Sequence, residues 1–243
     1  KSVSNWLTDN KLLLHLWKTE SILFGSKPKL RKCDEVKISC NDSSISCTKS
    51  VNYLGVKLDQ TLSGEQIANQ VINKANAKLK FLIRKSKFLN RYSKQLLASS
   101  LIQCHFDYAC ASWYLGLSKN LKCRLQATQN KMIRFILNLS TRTHIGRAQF
   151  EEVGWLPVDM RVNFLILSHV HKIHYKKAPS YLQEHFKLAN YVHTYSTRFR
   201  DSNCYSIPKV KGFGGKTFAY HGCKVWNNLP PNFRSMNSFC HFK

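Results

Sequence analysis

The chain has 243 residues and is 43% hydrophobic, which is enough to bury a core and too apolar for a disordered chain. It carries 38 Lys and Arg against 13 Asp and Glu, a net charge of +25, so self-repulsion favours a polyanionic partner; nucleic acid is the commonest one, and the alternative is a merely basic soluble protein. Nine cysteines at irregular spacing, with no CxxC, argue against a secreted disulfide framework, and no 18-residue apolar run is present to span a membrane. No signal peptide is visible, and a first residue other than Met suggests a fragment of a longer chain.

In chain order, residues 1–25 read as the end of a helix, a turn and a short strand. Trp6, Leu7 and Leu13 can share one apolar helix face, and Ser21-Ile22-Leu23-Phe24, closed by Gly25, fits a buried strand. Lys18 sits at the junction. Val36–Cys40 and Ser44–Cys47 flank Asn41-Asp42 with rough alternation, which predicts a hairpin. Residues 51–58 would add a third strand, with Gly55 inside it.

From Glu65 the period changes to three or four. Ile67, Val71, Ala75, Leu79 and Leu82 form a first helix stripe, with Ser63 as candidate N-cap. Leu97, Leu101, Cys104, Tyr108 and Ala111 form a second, capped by Asn90. Leu121, Leu125, Thr128, Met132 and Phe135 form a third, capped by Ser118. Three such helices with short connections predict a bundle. Residues 145–190 read as more helix, broken at Gly154-Trp155-Leu156-Pro157 and resumed by Val162, Leu165, Ile166, His169, Val170 and Ile173, which makes His169 a core histidine. Residues 191–213 read as a long connection, and 214–229 as a last helix.

The bundle's charge is one-sided. Between Gln66 and Phe150 the only acid is Asp107, against 15 basic residues. Lys74, Lys78 and Lys85, and Lys80, Arg84, Lys87 and Arg91, run as rows along the first helix and into the turn after it. Lys122, Arg124, Lys131 and Arg134 follow on the third helix. A solvated helix face normally mixes signs, because like charges repel. Rows of one sign suit the phosphates of a duplex, each contact releasing a counterion. A plain solvated face is the other reading.

Several signals carry little. Gly212-Phe213-Gly214-Gly215-Lys216-Thr217 resembles a phosphate loop but has Val210 where the first glycine is needed. His169, His171, His174, His185 and His193 lack acids or cysteines at ligand spacing. His221, Cys223, Cys240 and His241 fit no standard zinc pattern, so free core cysteines are expected. The acid pairs Asp34-Glu35 and Glu151-Glu152 read as solvated.

The order of short motifs resembles the end of the palm, the thumb and the C-terminal region of a non-LTR retrotransposon (LINE-type, jockey/CR1-like) reverse transcriptase. These motifs are Trp6 with Asn10-Lys11-Leu12, Lys18-Thr19-Glu20 and Phe24-Gly25; Tyr53-Leu54-Gly55-Val56 with Leu58-Asp59; Phe106-Asp107-Tyr108-Ala109 with Trp113; and Leu125-Gln126, Gln129-Asn130 and Ile133-Arg134. They continue with Gly154-Trp155-Leu156-Pro157 and Arg161, Pro179 with Tyr181-Leu182, Thr197-Arg198, and Trp226-Asn227 with Leu229-Pro230. The chain departs from the family at His15, where Asn is usual, and at Trp17, which is rare there.

The resemblance implies an α+β, mostly helical fold. A short antiparallel palm-end sheet (1–62) would be followed by a basic helical thumb (63–140) and a helical C-terminal region with an irregular basic tail (141–243). It implies RNA template and DNA primer as partners, an N-terminal palm and fingers part outside this sequence, no membrane, and an intracellular setting in nucleus and cytoplasm. Two metal ions, Mg2+, would be held by aspartates of an earlier palm strand and a Y-x-D-D turn. Neither lies in this sequence, so no cofactor is expected in this chain and no polymerisation by it alone. Lys18 matches a lysine near the incoming triphosphate, a candidate general acid to the leaving pyrophosphate, or else it pairs with a neighbour such as Glu20. Tyr53, Leu54 and Gly55 match the primer-grip strand, or else Gly55 relieves a twist in a core strand. Stand-alone nucleic-acid binding, or an inert relic of such an element, are the alternatives to a polymerase part.

Overall fold

The computed structural model describes residues 3–33, 38–40, 43–192 and 203–242. Helix makes up 61% of it, and the strands form two small antiparallel sheets of two strands each, so the chain is α+β and mostly helical. It folds as two compact units, Lys1–Ile67 and Ala68–Lys243.

The first unit opens with α1 (Val3–Asp9), which ends at Asn10-Lys11, Lys11 taking φ 56°. Leu13 therefore lies beyond the helix and is 98% exposed, and Trp6 is exposed too, so the expected apolar helix face does not form. A single 3-10 turn holds Leu16–Lys18. The expected buried strand at 21–24 is replaced by one isolated parallel bridge, Ser21 to Cys47, with Phe24 exposed. That segment is held by backbone bonds from Ser21 N–H to Ser46 O and from Gly25 N–H to Gln60 O. After α2 (Lys27–Lys32), β1 (Ile38–Cys40) pairs with β2 (Ser43–Ile45) as expected, although Asn41-Asp42 lie outside the described residues. The Asp34-Glu35 pair lies outside them as well.

The presumed third strand is a second hairpin of its own. β3 (Ser50–Tyr53) pairs with β4 (Val56–Asp59), with Tyr53 opposite Val56, so Leu54 and Gly55 are the two turn residues. Both take positive φ, 47° and 78°, as a two-residue hairpin turn matched to strand twist requires. Gly55 thus closes a turn rather than lying within a strand. Asp59 closes the unit. Its carboxylate accepts from Thr61 and Ser63, and although burial alone raises its pKa, those hydrogen bonds outweigh burial and hold it below the ordinary value.

α3 (Glu65–Arg84), most of which belongs to the second unit, buries the whole first stripe, and Ser63 Oγ accepts from Glu65 N–H at the helix start. The second stripe is out of phase. α4 (Arg91–Ala98) runs through a π turn (Ser99–Gln103) into α5 (Cys104–Asp107), and the buried face is Lys94, Ala98, Ile102 and Phe106. Leu101, Cys104 and Tyr108 are exposed. A lysine at the head of the true stripe disguised it. Lys94 Nζ donates to Asn138 Oδ1 and lies 5.4 Å from the centre of the Phe135 ring, so its charge is satisfied inside. Ala109 at φ 49° then ends the run before α6 (Cys110–Trp113).

α7 (Lys119–Leu137) buries the third stripe, with Ser118 accepting at its N-cap as Asn90 does for α4. α8 (Arg147–Val153) ends at Gly154, φ 66°, and the core is organised around α9 (Val158–His174). α9 packs against α5, α6, α7, α10 (Ser180–Gln183), α12 (Phe218–Asn227) and α14 (Phe239–Phe242). α11 (Ala189–Val192) and α13 (Pro231–Arg234) complete the unit; much of the long connection before α12 lies outside the described residues. α12 approaches α9 so closely at Gly222 that a Cβ there would meet Val170 Cγ2 at 3.0 Å. The core histidine of α9 is His171, fully buried, whereas His169 is exposed. His171 Nε2–H donates to Met236 O at 2.7 Å, and its ring lies 4.3 Å from that of Phe242.

Candidate nucleic-acid interface

α3 and α7 are long because their apolar residues recur at helical spacing, and burying those stripes turns the intervening residues outward. On α3, Lys80 and Arg84, with Lys87 in the following 3-10 turn, are exposed and lie about one turn apart, a step of roughly 6 Å along a helix. Lys74 and Lys85 are exposed as well. Lys80 borders a groove of about 520 Å³ between the C-terminal halves of α3 and α7. Its other basic residues are Lys131 and Arg134 of α7, and Leu79, Ile83 and Phe135 give it an apolar base. No carboxylate lines it.

The fifteen basic residues between Gln66 and Phe150 are not equivalent. Lys94 is buried. Lys78 Nζ bonds Leu101 O at 3.0 Å and His105 Nε2 at 2.8 Å, tying α3 to the π turn and α5. Burial first, then the charges of Lys78 and Lys74, hold the His105 pKa down. Arg91 pairs with Glu152 at 2.8 Å, and Arg147 pairs with Glu151 at 2.6 Å, so the Glu151-Glu152 doublet is exposed but salt-bridged rather than merely solvated. Lys122 lies 4.6 Å from the centre of the Tyr114 ring and 3.8 Å from Asp159. Arg124 donates to Asn69 Oδ1, and Arg134, which lines the groove, donates through Nε to Thr143 O. Among the described residues Lys74, Lys80, Arg84, Lys85, Lys87, Lys119, Lys131 and Arg142 have no such partner, and they carry the unspent charge.

Asp107, the only acid in that stretch, is removed from the surface field. Arg161 of α9 clamps it through two bonds of 2.7 Å, and Gln103 Nε2 donates at 3.3 Å. The clamp raises the Arg161 pKa.

In the first unit Tyr53 and Leu54 are exposed at the tip of the second hairpin beside Gly55. Lys18 is exposed at the end of its 3-10 turn, and among the described residues neither Glu20 nor any other acid pairs with it. No three His, Cys, Asp or Glu side chains are grouped to hold a metal ion among the described residues. The cysteines are less buried than expected. Cys110, Cys204 and Cys223 are core, while Cys33, Cys47, Cys104, Cys123 and Cys240 are exposed. Burial pushes the Cys110 thiol up to about 11 and Cys223 to about 12, away from thiolate chemistry. No described helix is long and apolar enough to cross a membrane.

Sequence reasoning missed Asn76 and Asn138, both lining the groove. The C-terminal end of α7 carried a signal for one of them, since Asn at a helix end readily takes the left-handed conformation that Asn138 adopts at φ 56°. Compared with known proteins, the chain matches no family model, no curated protein and no solved structure.

Proposed function

We propose that this chain is the C-terminal part of an RNA-directed DNA polymerase of the non-LTR retrotransposon type, and that its α3–α7 groove clamps the template–primer duplex through phosphates. The observation that carries the reading is the one-signed groove. Lys80 and Lys131 line it without described partners, and Arg84 and Lys87, next in sequence to Ile83 and Ser86 of its lining, continue the Lys80 row without described partners, while Asp107, the one acid between Gln66 and Phe150, is paired with Arg161. The ordered motifs from Trp6 to Pro230 support the family. By the family resemblance the polymerase aspartates and their Mg2+ ions would belong to a part outside this sequence, and the contribution of this chain would be to hold and orient nucleic acid. A backbone-tracking clamp reads duplex shape and charge, not sequence.

The test is binding of the full chain to an RNA–DNA duplex across a salt series. Contacts by Lys80, Arg84, Lys87 and Lys131 predict a slope of log K on log salt near about −4, which is about a hundredfold loss between 50 and 200 mM. No binding at low salt, or a slope near zero, contradicts the reading. Lys18 has a separate test. In a polymerase containing this chain, Lys18→Ala lowers primer extension while leaving duplex affinity unchanged, if Lys18 acts on the pyrophosphate.

A further inference from the structure

A second cavity, of about 710 Å³, lies on another face of α7. Phe150, Trp155, Leu156 and Met160 give it apolar walls, and Gln126 and Asn130 give it an amide edge. The amide network fixes the orientation of Asn130. Gln126 Oε1 accepts from Val158 N–H at 2.9 Å, and Gln126 Nε2 donates to Gln129 Oε1 at 3.0 Å and to Asn130 Oδ1 at 2.8 Å. With its oxygen committed, the half-buried Asn130 presents Nδ2, which donates to no described residue. Among the described residues no ring stacks on the Trp155 indole either.

The cavity adjoins the basic groove through one helix and one loop. Asn130 lines the cavity, while its neighbour Lys131 and, one turn on, Arg134 line the groove. The loop after α7 serves both, since Asn138, Leu139 and Thr141 border the groove and Ile145 and Gly146 border the cavity. The one carboxylate at the cavity, Glu151, is paired with Arg147. Cations for a backbone on one side of the loop, with an open indole and a free amide donor on the other, suit a strand leaving the groove with one base turned aside. Base-on-aromatic stacking tolerates any base, and every base offers an acceptor to an amide N–H.

We propose that the Trp155–Asn130 cavity receives one unpaired nucleobase of a strand whose phosphates lie in the basic groove. This rests on the nucleic-acid reading above, and the cavity is a site distinct from the groove. It gives the chain a preference for a duplex with a single-stranded flank over a blunt duplex.

The experiment uses the full chain and two RNA–DNA duplexes, one blunt and one with a short unpaired flank carrying the photoreactive base 4-thiouridine. The flanked duplex is expected to bind about tenfold tighter, the scale of one base stacked on an aromatic ring. Its crosslink should map to residues 126–130 or 145–160. Asn130→Ala and, separately, Trp155→Leu should bring the affinity ratio of the two duplexes towards one. Equal affinities in the wild-type chain, or a crosslink outside residues 126–130 and 145–160, overturn the base site while leaving the clamp intact. Failure to bind either duplex overturns the clamp reading and the base site with it. The crosslink map needs no variant, so a variant that fails to fold does not protect the idea.

Discussion

The two units of the chain use apolar residues in opposite ways. In the second unit the large apolar residues of α3, α7 and α9 close around Leu125, Ile133, Ile166, Val170 and Trp226, all fully buried. In the first, Val56 and Ile67 are the buried large apolar side chains among the described residues, whereas Leu13 and Trp17 are 98% and 96% exposed. The second unit therefore holds its shape by packing, and the first by backbone bonds: two hairpins, one bridge and the Asp59 turn. Packing converts sequence period into rigid helices, which is what the proposed array of phosphate-binding cations needs. The hairpin fixed by backbone bonds has Tyr53 and Leu54 exposed at its tip.

The largest effect that could break this comparison is in the core. Leu125→Ala or Ile166→Ala should cost about 2–5 kcal/mol in chemical denaturation of the second unit. Leu13→Ser and Trp17→Ser should each change stability by less than about 0.5 kcal/mol. Equal costs in the two units would erase the distinction.

Next in size is the Asp107–Arg161 clamp. Either Asp107→Asn or Arg161→Met should cost about 1–3 kcal/mol, because the abandoned partner is half-buried, and the double variant should cost less than the sum of the two. Additive losses would mean that the two residues act separately.

Acid should separate the units as well. Burial lowers the pKa of His171, His174 and His221 in the second unit, so the unfolded state binds protons first as pH falls below about 6.5. Stability of that unit should therefore be complete above that range and decline between pH 7 and 5. His171→Phe should flatten the decline by removing one of its sources. In the first unit the lowered pKa of Asp59 works in the opposite sense for an acid. Its contribution is present above the ordinary carboxylate value of 3.8 and is lost only as pH falls through the lower folded value. A thermal melt series from pH 7.5 to 3 checks both windows. Loss of the β3–β4 hairpin near pH 6 would contradict the assignment.

The smallest expected effect is at the hairpin tip. Leu54 occupies a positive-φ position that Asn or Gly fits better, so Leu54→Asn should stabilise the hairpin by a few tenths of a kcal/mol. Hydrogen exchange of the β3–β4 amides measures it.

These contrasts also explain what was legible in the sequence. The α3 and α7 stripes could be read because every stripe position is apolar or small. The α4–α5 stripe could not, because Lys94 heads it and the π turn shifts its phase by one residue. His169 and His171 were exchanged for a similar reason, since α9 is apolar on so much of its surface that period alone does not fix the inward face. The second hairpin was hidden by Leu-Gly standing where Asn-Gly usually signals a turn. The basic rows of the interface were visible as composition. The division between spent cations, such as Lys78 and Arg91, and unspent ones, such as Lys80 and Arg84, depends on partners distant in sequence, and so does the neutralisation of Asp107 by Arg161.

The most direct measurement of the central claim compares two variants of equal charge in duplex binding. One carries Lys80→Gln and Lys131→Gln in the groove and Arg84→Gln and Lys87→Gln in the row that continues from Lys80. The other carries Lys187→Gln, Lys209→Gln, Lys211→Gln and Lys216→Gln at exposed positions away from it. The groove variant should lose about a hundredfold in affinity near 100 mM salt and most of the salt slope, while the control should lose less than about threefold. Equal losses would mean that the chain binds nucleic acid through overall charge alone, and the groove would then have no particular role.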